Sequence, residues 1–295
     1  MIEVSDLRKE YGDFAAVEGS TFSVDQGEVF GIIGPNGAGK TTTLKMLSGL
    51  LEPTGGDVTV AGYATDDTEM RKRLGFLPEE SPLYEEMTPL SYLKFFADLY
   101  DVPSDTAERR IHDTLDELDL EHRTRQLGDM SKGMKRKVAI ARSLINDPDV
   151  LVYDEPASGL DPLTTNYIID FTERLAQEGK TIVFSAHNLF HVESICDRVA
   201  IMNEGTIVAK GDLETLQAEY GETEYHVYTT VEVPDSVRKN GRYQRVVDSM
   251  AAVDATRTAA QDAGGEVVDI RTKESSLEEV FLNVAESGRR SGSEA

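Results

Sequence analysis

The sequence is short of several things, and each shortage excludes a class of answers. It has one cysteine, Cys196, so no internal disulfide can form and a reducing compartment is expected. Basic residues are few: 30 Lys and Arg stand against 54 Asp and Glu, for a formal net charge of -24. That excess repels polyanions at long range, which argues against general binding to nucleic acid or anionic lipid. It suits a protein kept soluble in concentrated salt, where screening cuts self-repulsion. Arg also outnumbers Lys, and the composition leads to the expectation of a halophilic source. The five histidines, His112, His122, His187, His191 and His226, show no metal-ligand spacing. No apolar run approaches the roughly 20 residues that a membrane-crossing helix needs. The opening MIEVSDLRKEYG lacks the pattern of a secretory leader. Work at a membrane would require another chain to span it. No internal repeat is visible.

What is present is an alternation. A chain of 295 residues fits one large domain, or one domain with an appendage. Short apolar strand candidates (28–34, 58–61, 150–153, 181–185, 198–202) alternate with helical stretches (39–49, 89–100, 106–118, 132–146, 163–178, 189–195). This pattern predicts an α/β fold with a mainly parallel sheet. Residues 78–147 break it and read as an inserted helical subdomain. NEGTIVAKG, residues 203–211, reads as a hairpin at a sheet edge. The pattern changes near 218–221, so a first domain is expected over 1–219. A small βαβα domain is expected over 220–286, with strand 224–233, helix 243–263, strand 266–272 and helix 276–286. Residues 287–295 read as a disordered tail.

The strongest signal is EVFGIIGPNGAGKTTTL. Gly34 to Thr41 fit G-x-x-x-x-G-K-[ST] between a strand and a helix. Glycines let several backbone N–H groups converge, and the helix N-terminus adds partial positive charge. The candidate nucleotide-binding residues are Gly34, Asn36, Gly37, Ala38, Gly39, Lys40, Thr41 and Thr42. Lys40 would reach the β and γ phosphates, and the Thr41 hydroxyl would bind Mg²⁺.

VLVYDEP is an apolar strand ending in Asp154 and Glu155. In a parallel sheet this places both beside the P-loop. Asp154 can hold Mg²⁺ and Glu155 can polarise an attacking water. In isolation an Asp-Glu pair reads as a solvated loop end. His187 follows another apolar strand, in TIVFSAHNL. Alone it would read as a packing residue; beside two phosphate-site motifs it reads as a γ-phosphate contact. One segment runs against the acidic background: MSKGMKRKVAIAR, residues 130–142, is basic with no acidic residue.

In motif order the chain resembles the ATP-binding subunit of an ABC transporter, over about residues 2–219. The resemblance implies a P-loop NTPase core with a mainly parallel sheet, an inserted helical subdomain and an N-terminal antiparallel β part. It implies ATP and Mg²⁺ as cofactors and ATP hydrolysis as the activity. Tyr11 sits where the family stacks an aromatic on adenine. SGLDP matches the D-loop, with Asp161 near a dimer interface. MSKGM aligns with the signature, so Ser131 and Gly133 would meet the γ-phosphate held by a second copy in a head-to-tail dimer. The basic segment would then be positive because its helix faces ATP. Lys135, Arg136 and Lys137 point in different directions, so some would serve as surface charge; a nucleic-acid patch is the rival reading. Two departures stand out. Lys132 replaces the signature's glycine and Met134 its glutamine, while Glu79 replaces the Q-loop glutamine as a possible Mg²⁺ ligand.

The family also implies a separately encoded integral membrane permease, with Leu83, Tyr84, Phe95, Phe96 and Tyr100 near the groove for it. Location at the cytoplasmic face of the membrane follows. SSLEEVFLNV resembles the end of the drug- and sodium-efflux branch, which implies export. The alternatives are a soluble ABC ATPase acting on ribosomes or DNA, and a nucleotide-gated binding subunit with little turnover.

Overall fold

A computed structural model describes residues 1–291. It forms two compact units, one from Met1 to Gly211 and one from Asp212 onward. In the first, β1 (Ile2–Tyr11) and β2 (Phe14–Val24) make a hairpin, and β3 (Val29–Ile33) leads into α1 (Lys40–Leu47). β4 (Gly55–Val60) and β5 (Tyr63–Ala64) complete an antiparallel sheet in the order β2-β1-β4-β5. α2 (Thr68–Arg73) and β6 (Leu74–Leu77) precede three helices, α3 (Pro89–Leu99), α4 (Ser104–Glu117) and α5 (Lys132–Ser143). These three form the expected helical insertion. Alternation then resumes: β7 (Val150–Asp154), α6 (Pro162–Gln177), β8 (Thr181–Ala186), α7 (Leu189–Ile195), β9 (Arg198–Asn203) and β10 (Thr206–Gly211). The second sheet runs β10-β9-β3-β8-β7-β6, parallel throughout except for the edge strand β10.

The two sheets read differently for a physical reason. β1 alternates buried Ile2, Val4 and Leu7 with exposed residues, as a strand with one solvated face must. β3, β7 and β8 are buried at every position, as strands covered on both faces must be. Leu44, Met46 and Leu47 of α1 are fully buried in one cluster with Phe30, Ile32 and Val183. Each such side chain contributes about 1.5–3 kcal/mol, so the helix behind the phosphate loop is firmly seated. Cys196 packs under β3: a Cβ on Gly31 would lie 2.8 Å from its Sγ. Burial, then Asp197 and Glu28, push the thiol's pKa well up. The strand order sets the carboxyl ends of β3, β8, β7 and β6 side by side, and those ends carry Gly34, His187, Asp154 and Glu79.

The second unit starts with α8 (Leu213–Tyr220), which the sequence reading had grouped with the first domain. Gln217 Nε2 donates to Ser275 O at 3.0 Å, and Asn283 Nδ2 donates to Tyr220 O at 3.0 Å. The strands β11 (Glu224–Thr229), β12 (Val237–Lys239), β13 (Arg242–Val247) and β14 (Val267–Lys273) pair as β12-β13-β11-β14. α9 (Met250–Asp262) and α10 (Leu277–Ser291) complete it. The helix expected over 243–263 is corrected here. Its first part is β13, joined to β12 by Asn240 (φ 51°) and Gly241 (φ 81°), with Lys239 paired to Arg242. Two consecutive left-handed residues of type Asn-Gly make a tight hairpin turn, and the helix begins only at its cap, Ser249. Leu277, Val280 and Val284 of α10 are buried. α10 continues to Ser291 into the stretch expected as tail, and residues 292–295 lie outside the described residues. Among the described residues no helix is long and apolar enough to cross a membrane.

Candidate nucleotide site

The loop between β3 and α1 is shaped by its glycines. Gly39 sits at φ 102°, and a Cβ there would lie 2.5 Å from Ala16 O. Gly39 is also the N-cap of α1 and supplies no side-chain cap. The helix's first N–H groups are thus left for an anion. Lys40 is buried, and its Nζ donates to Gly34 O at 2.7 Å and Pro35 O at 3.2 Å. Burial pushes its pKa down, while Glu155, Asp154 and Glu79 push it back up. The lysine therefore faces three carboxylates across the loop.

Those carboxylates come from adjacent strand ends. Asp154 is 1 % exposed, and its Oδ1 accepts from Ser185 Oγ at 2.6 Å. Ser185 Oγ in turn accepts from the Glu155 N–H at 3.0 Å. Ser185, opposite Asp154 on β8, thus fixes both residues of the pair. Glu155 lies at φ 46°, left-handed and rarely adopted by a non-glycine residue. Its Oε2 is 2.6 Å from His187 Nδ1. An Nδ1–H tautomer donates to the carboxylate and leaves Nε2 for a ligand.

A cleft of about 620 Å³ gathers most of these groups, but Gly34 and the buried Asp154 are not among its lining residues. Its lining includes Tyr11, Asn36, Gly37, Ala38, Gly39, Lys40, Thr41, Thr42, Glu79, Glu155 and His187. Three lining residues, Phe14, Ala16 and Ser158, were not anticipated. Phe14 pairs with Tyr11 across the β1–β2 turn. Such opposition of two aromatics at a hairpin tip is a signal the sequence carried. Ser131, Gly133 and Asp161 do not line the cleft. Ser131 caps α5, accepting from the Met134 N–H at 3.3 Å. Asp161 caps α6 through Thr164 N–H at 3.1 Å and Thr164 Oγ1 at 2.7 Å. These bonds hold the Asp161 carboxyl below the usual carboxylate range. Gly133 packs close to Thr164.

The basic segment is largely spent inside its own chain. Lys135 pairs with Glu85 at 3.3 Å, and Lys137 lies 4.3 Å from the Tyr167 ring centroid. Arg142 donates to Tyr92 OH at 3.2 Å. Lys132 extends over Gly159 of SGLDP. Arg136 is neither a phosphate contact nor surface charge, the two duties the sequence suggested for this triplet. It is buried and donates to six oxygens of the Glu79 and Glu155 loops. Burial lowers its pKa to about 10, so it stays charged at neutral pH.

The oxygen set offered by Thr41, Asp154 and Glu79 fits Mg²⁺, a hard cation that accepts one or two carboxylates and completes its shell with water and phosphate. Among the described residues no group of three or more His, Cys, Asp or Glu could hold a metal by itself.

Comparison with known proteins agrees with this geometry. A family model described as ABC transporter matches residues 17–158. An uncharacterized ABC transporter ATP-binding protein of Nostoc sp. is 35 % identical over 96 % of this chain and 89 % of its own length. The chain belongs to the ABC transporter ATP-binding family. A second ABC relative, the Nod factor export ATP-binding protein I of Burkholderia orbicola, is 38 % identical over 71 % of this chain and 70 % of its own length. A solved ATP-binding cassette, described as a dimeric post-hydrolysis state bound to ADP and Pi, superposes with a TM-score of 0.67 at 25 % identity. It covers 72 % of this chain and 99 % of its own. The ABC ATP-binding proteins are ATPases that bind ATP with Mg²⁺, and they work as dimers with membrane components.

Proposed function

We propose that two copies of this chain close head to tail around two MgATP and drive a separate membrane permease that exports its cargo. The observation that carries the reading is the split between two sets of residues. Asn36 to Thr42, Glu79, Glu155 and His187 line one cleft, whereas Ser131, Gly133 and Asp161 stand outside it. A second copy brings its own Ser131 and Gly133 to the γ-phosphate. In this reading Lys40 neutralises β and γ phosphate oxygens, and Tyr11 stacks on the adenine. Thr41, Asp154 and Glu79 would hold Mg²⁺, which would offset phosphate charge. Glu155 takes the proton of the attacking water, and His187 orients Glu155 and contacts the γ-phosphate. Export is supported by the name of the Burkholderia relative.

For the permease, the aromatic cluster of Tyr84, Tyr92, Phe95 and Phe96 leaves Tyr84 and Phe95 exposed. A second cleft of about 500 Å³ runs beside it, lined by Leu50, Phe76, Phe96 and Tyr100 among others. An apolar helix of the permease at the cytoplasmic face of the membrane would seat there. The test is to express tagged Glu155→Gln protein in its own host and purify it from solubilised membranes with ATP. A polytopic membrane protein in near-equal amount is expected. Recovery with ribosomes, with DNA or alone would overturn the permease reading.

A further inference from the structure

We propose that Arg136 is a positioning residue for hydrolysis: its guanidinium holds Glu155 in its left-handed conformation and locks that residue to the Glu79 loop and to the signature helix. The argument starts from three consecutive carbonyls. Arg136 Nη2 donates to Asp154 O at 3.1 Å and Glu155 O at 2.8 Å, and Nε donates to Pro156 O at 2.7 Å. On the other edge of the same planar group, Nη1 donates to Pro78 O at 2.7 Å, Glu79 O at 3.0 Å and Ser81 Oγ at 3.3 Å. All six acceptors are neutral oxygens, and the nearby Asp154 and Glu79 carboxylates also favour the buried charge. A left-handed non-glycine residue is strained by about 1–3 kcal/mol and persists only where its surroundings over-determine it. Glu155 meets that condition, with its N–H held by Ser185 and its C=O by Arg136.

Arg136 stands on α5, five residues after Ser131. A shift of this helix is therefore felt directly at the backbone of Glu155 and Glu79. None of its bonds reaches residues 34–42, so loss of the fork displaces the carboxylates while the phosphate loop keeps its shape. Lysine supplies three donors from one point and cannot span both loops.

The proposal rests on the reading of Glu155 as the carboxylate that takes the water's proton. The experiment measures MgATP turnover, affinity for a fluorescent ATP analogue and melting temperature on the full chain. It compares wild type, Glu155→Gln and Arg136→Lys. The expected result for Arg136→Lys is a kcat lower by about tenfold or more, because a misplacement near 1 Å costs up to about 10² in rate. Nucleotide affinity measured without Mg²⁺, which reports the untouched phosphate loop, should stay within about twofold. Should the lysine variant not fold, Arg136→Gln, which is neutral and leaves no unpaired buried charge, is judged by the same two numbers. Wild-type kcat would overturn the proposal. So would a kcat that falls only in step with affinity and melting temperature, since that marks a core pin. If Glu155→Gln itself turns over normally, the Glu155 reading fails by itself. If Glu155→Gln is dead and Arg136→Lys is normal, that reading stands and this one falls.

Discussion

Two helices of this molecule begin at the chemistry, and they begin differently. α1 starts at Gly39, with no side chain to cap it, behind a loop whose lysine is buried. α5 starts at Ser131, whose own hydroxyl accepts from the Met134 N–H. Neither has an acidic residue in its first turn. An uncapped N-terminus has N–H groups that only an anion or water can satisfy, so α1 is committed to its ligand within one chain. A capped one has one of those N–H groups satisfied already. In the proposed dimer, what α5 has for a phosphate, a hydroxyl and a glycine N–H, would serve the nucleotide of another copy.

Three substitutions sharpen or break that contrast. The largest effect is expected at the α1 cleft. Glu155→Gln should lower steady-state ATP turnover by about 10²–10⁴, the range of positioned general-base catalysis, with ATP still bound. Turnover near wild type in a phosphate-release assay would remove Glu155 from the chemistry. A smaller effect belongs to α5. Aspartate caps a helix as well as serine, so Ser131→Asp should leave the melting temperature nearly unchanged. It would set a negative charge against the partner's γ-phosphate, and turnover should fall by about tenfold or more. Unchanged turnover would reduce Ser131 to its capping role. The smallest change is expected at the hairpin tip. Tyr11→Ala should weaken ATP binding by about two- to tenfold, matching about 0.5–1.5 kcal/mol for an aromatic contact, and Tyr11→Phe should not. Equal losses in both would mean that the hydroxyl, not the ring, makes the contact.

Legibility in the sequence followed the range of the interactions. Gly34 to Thr41 were readable because eight adjacent residues carry the whole cradle, and Asp154, Glu155 and His187 because apolar strands announce their own ends. The roles of Arg136 and Ser185 were not readable. Arg136 acts on carbonyls 18 to 20 and 57 to 58 residues away, and a carbonyl leaves no trace in the identity of its residue. Ser185 matters because register sets it opposite Asp154. The hairpin Val237–Val247 was missed for another reason. Its turn dipeptide, Asn240-Gly241, was plain to see, but Tyr243 to Val247 were absorbed into the helical period that follows them.

The cysteine under β3 has a practical meaning. Cys196 packs against Gly31, and burial raises its thiol pKa well above the usual value, so slow reaction with maleimides and disulfide reagents at neutral pH is expected. The protein is therefore expected to serve as a quiet background for thiol labelling with its native cysteine left in place. Cysteines placed on the cleft rim and near Ser131 could carry spin labels or a cross-link, and the distance between two copies could be followed through the ATP cycle.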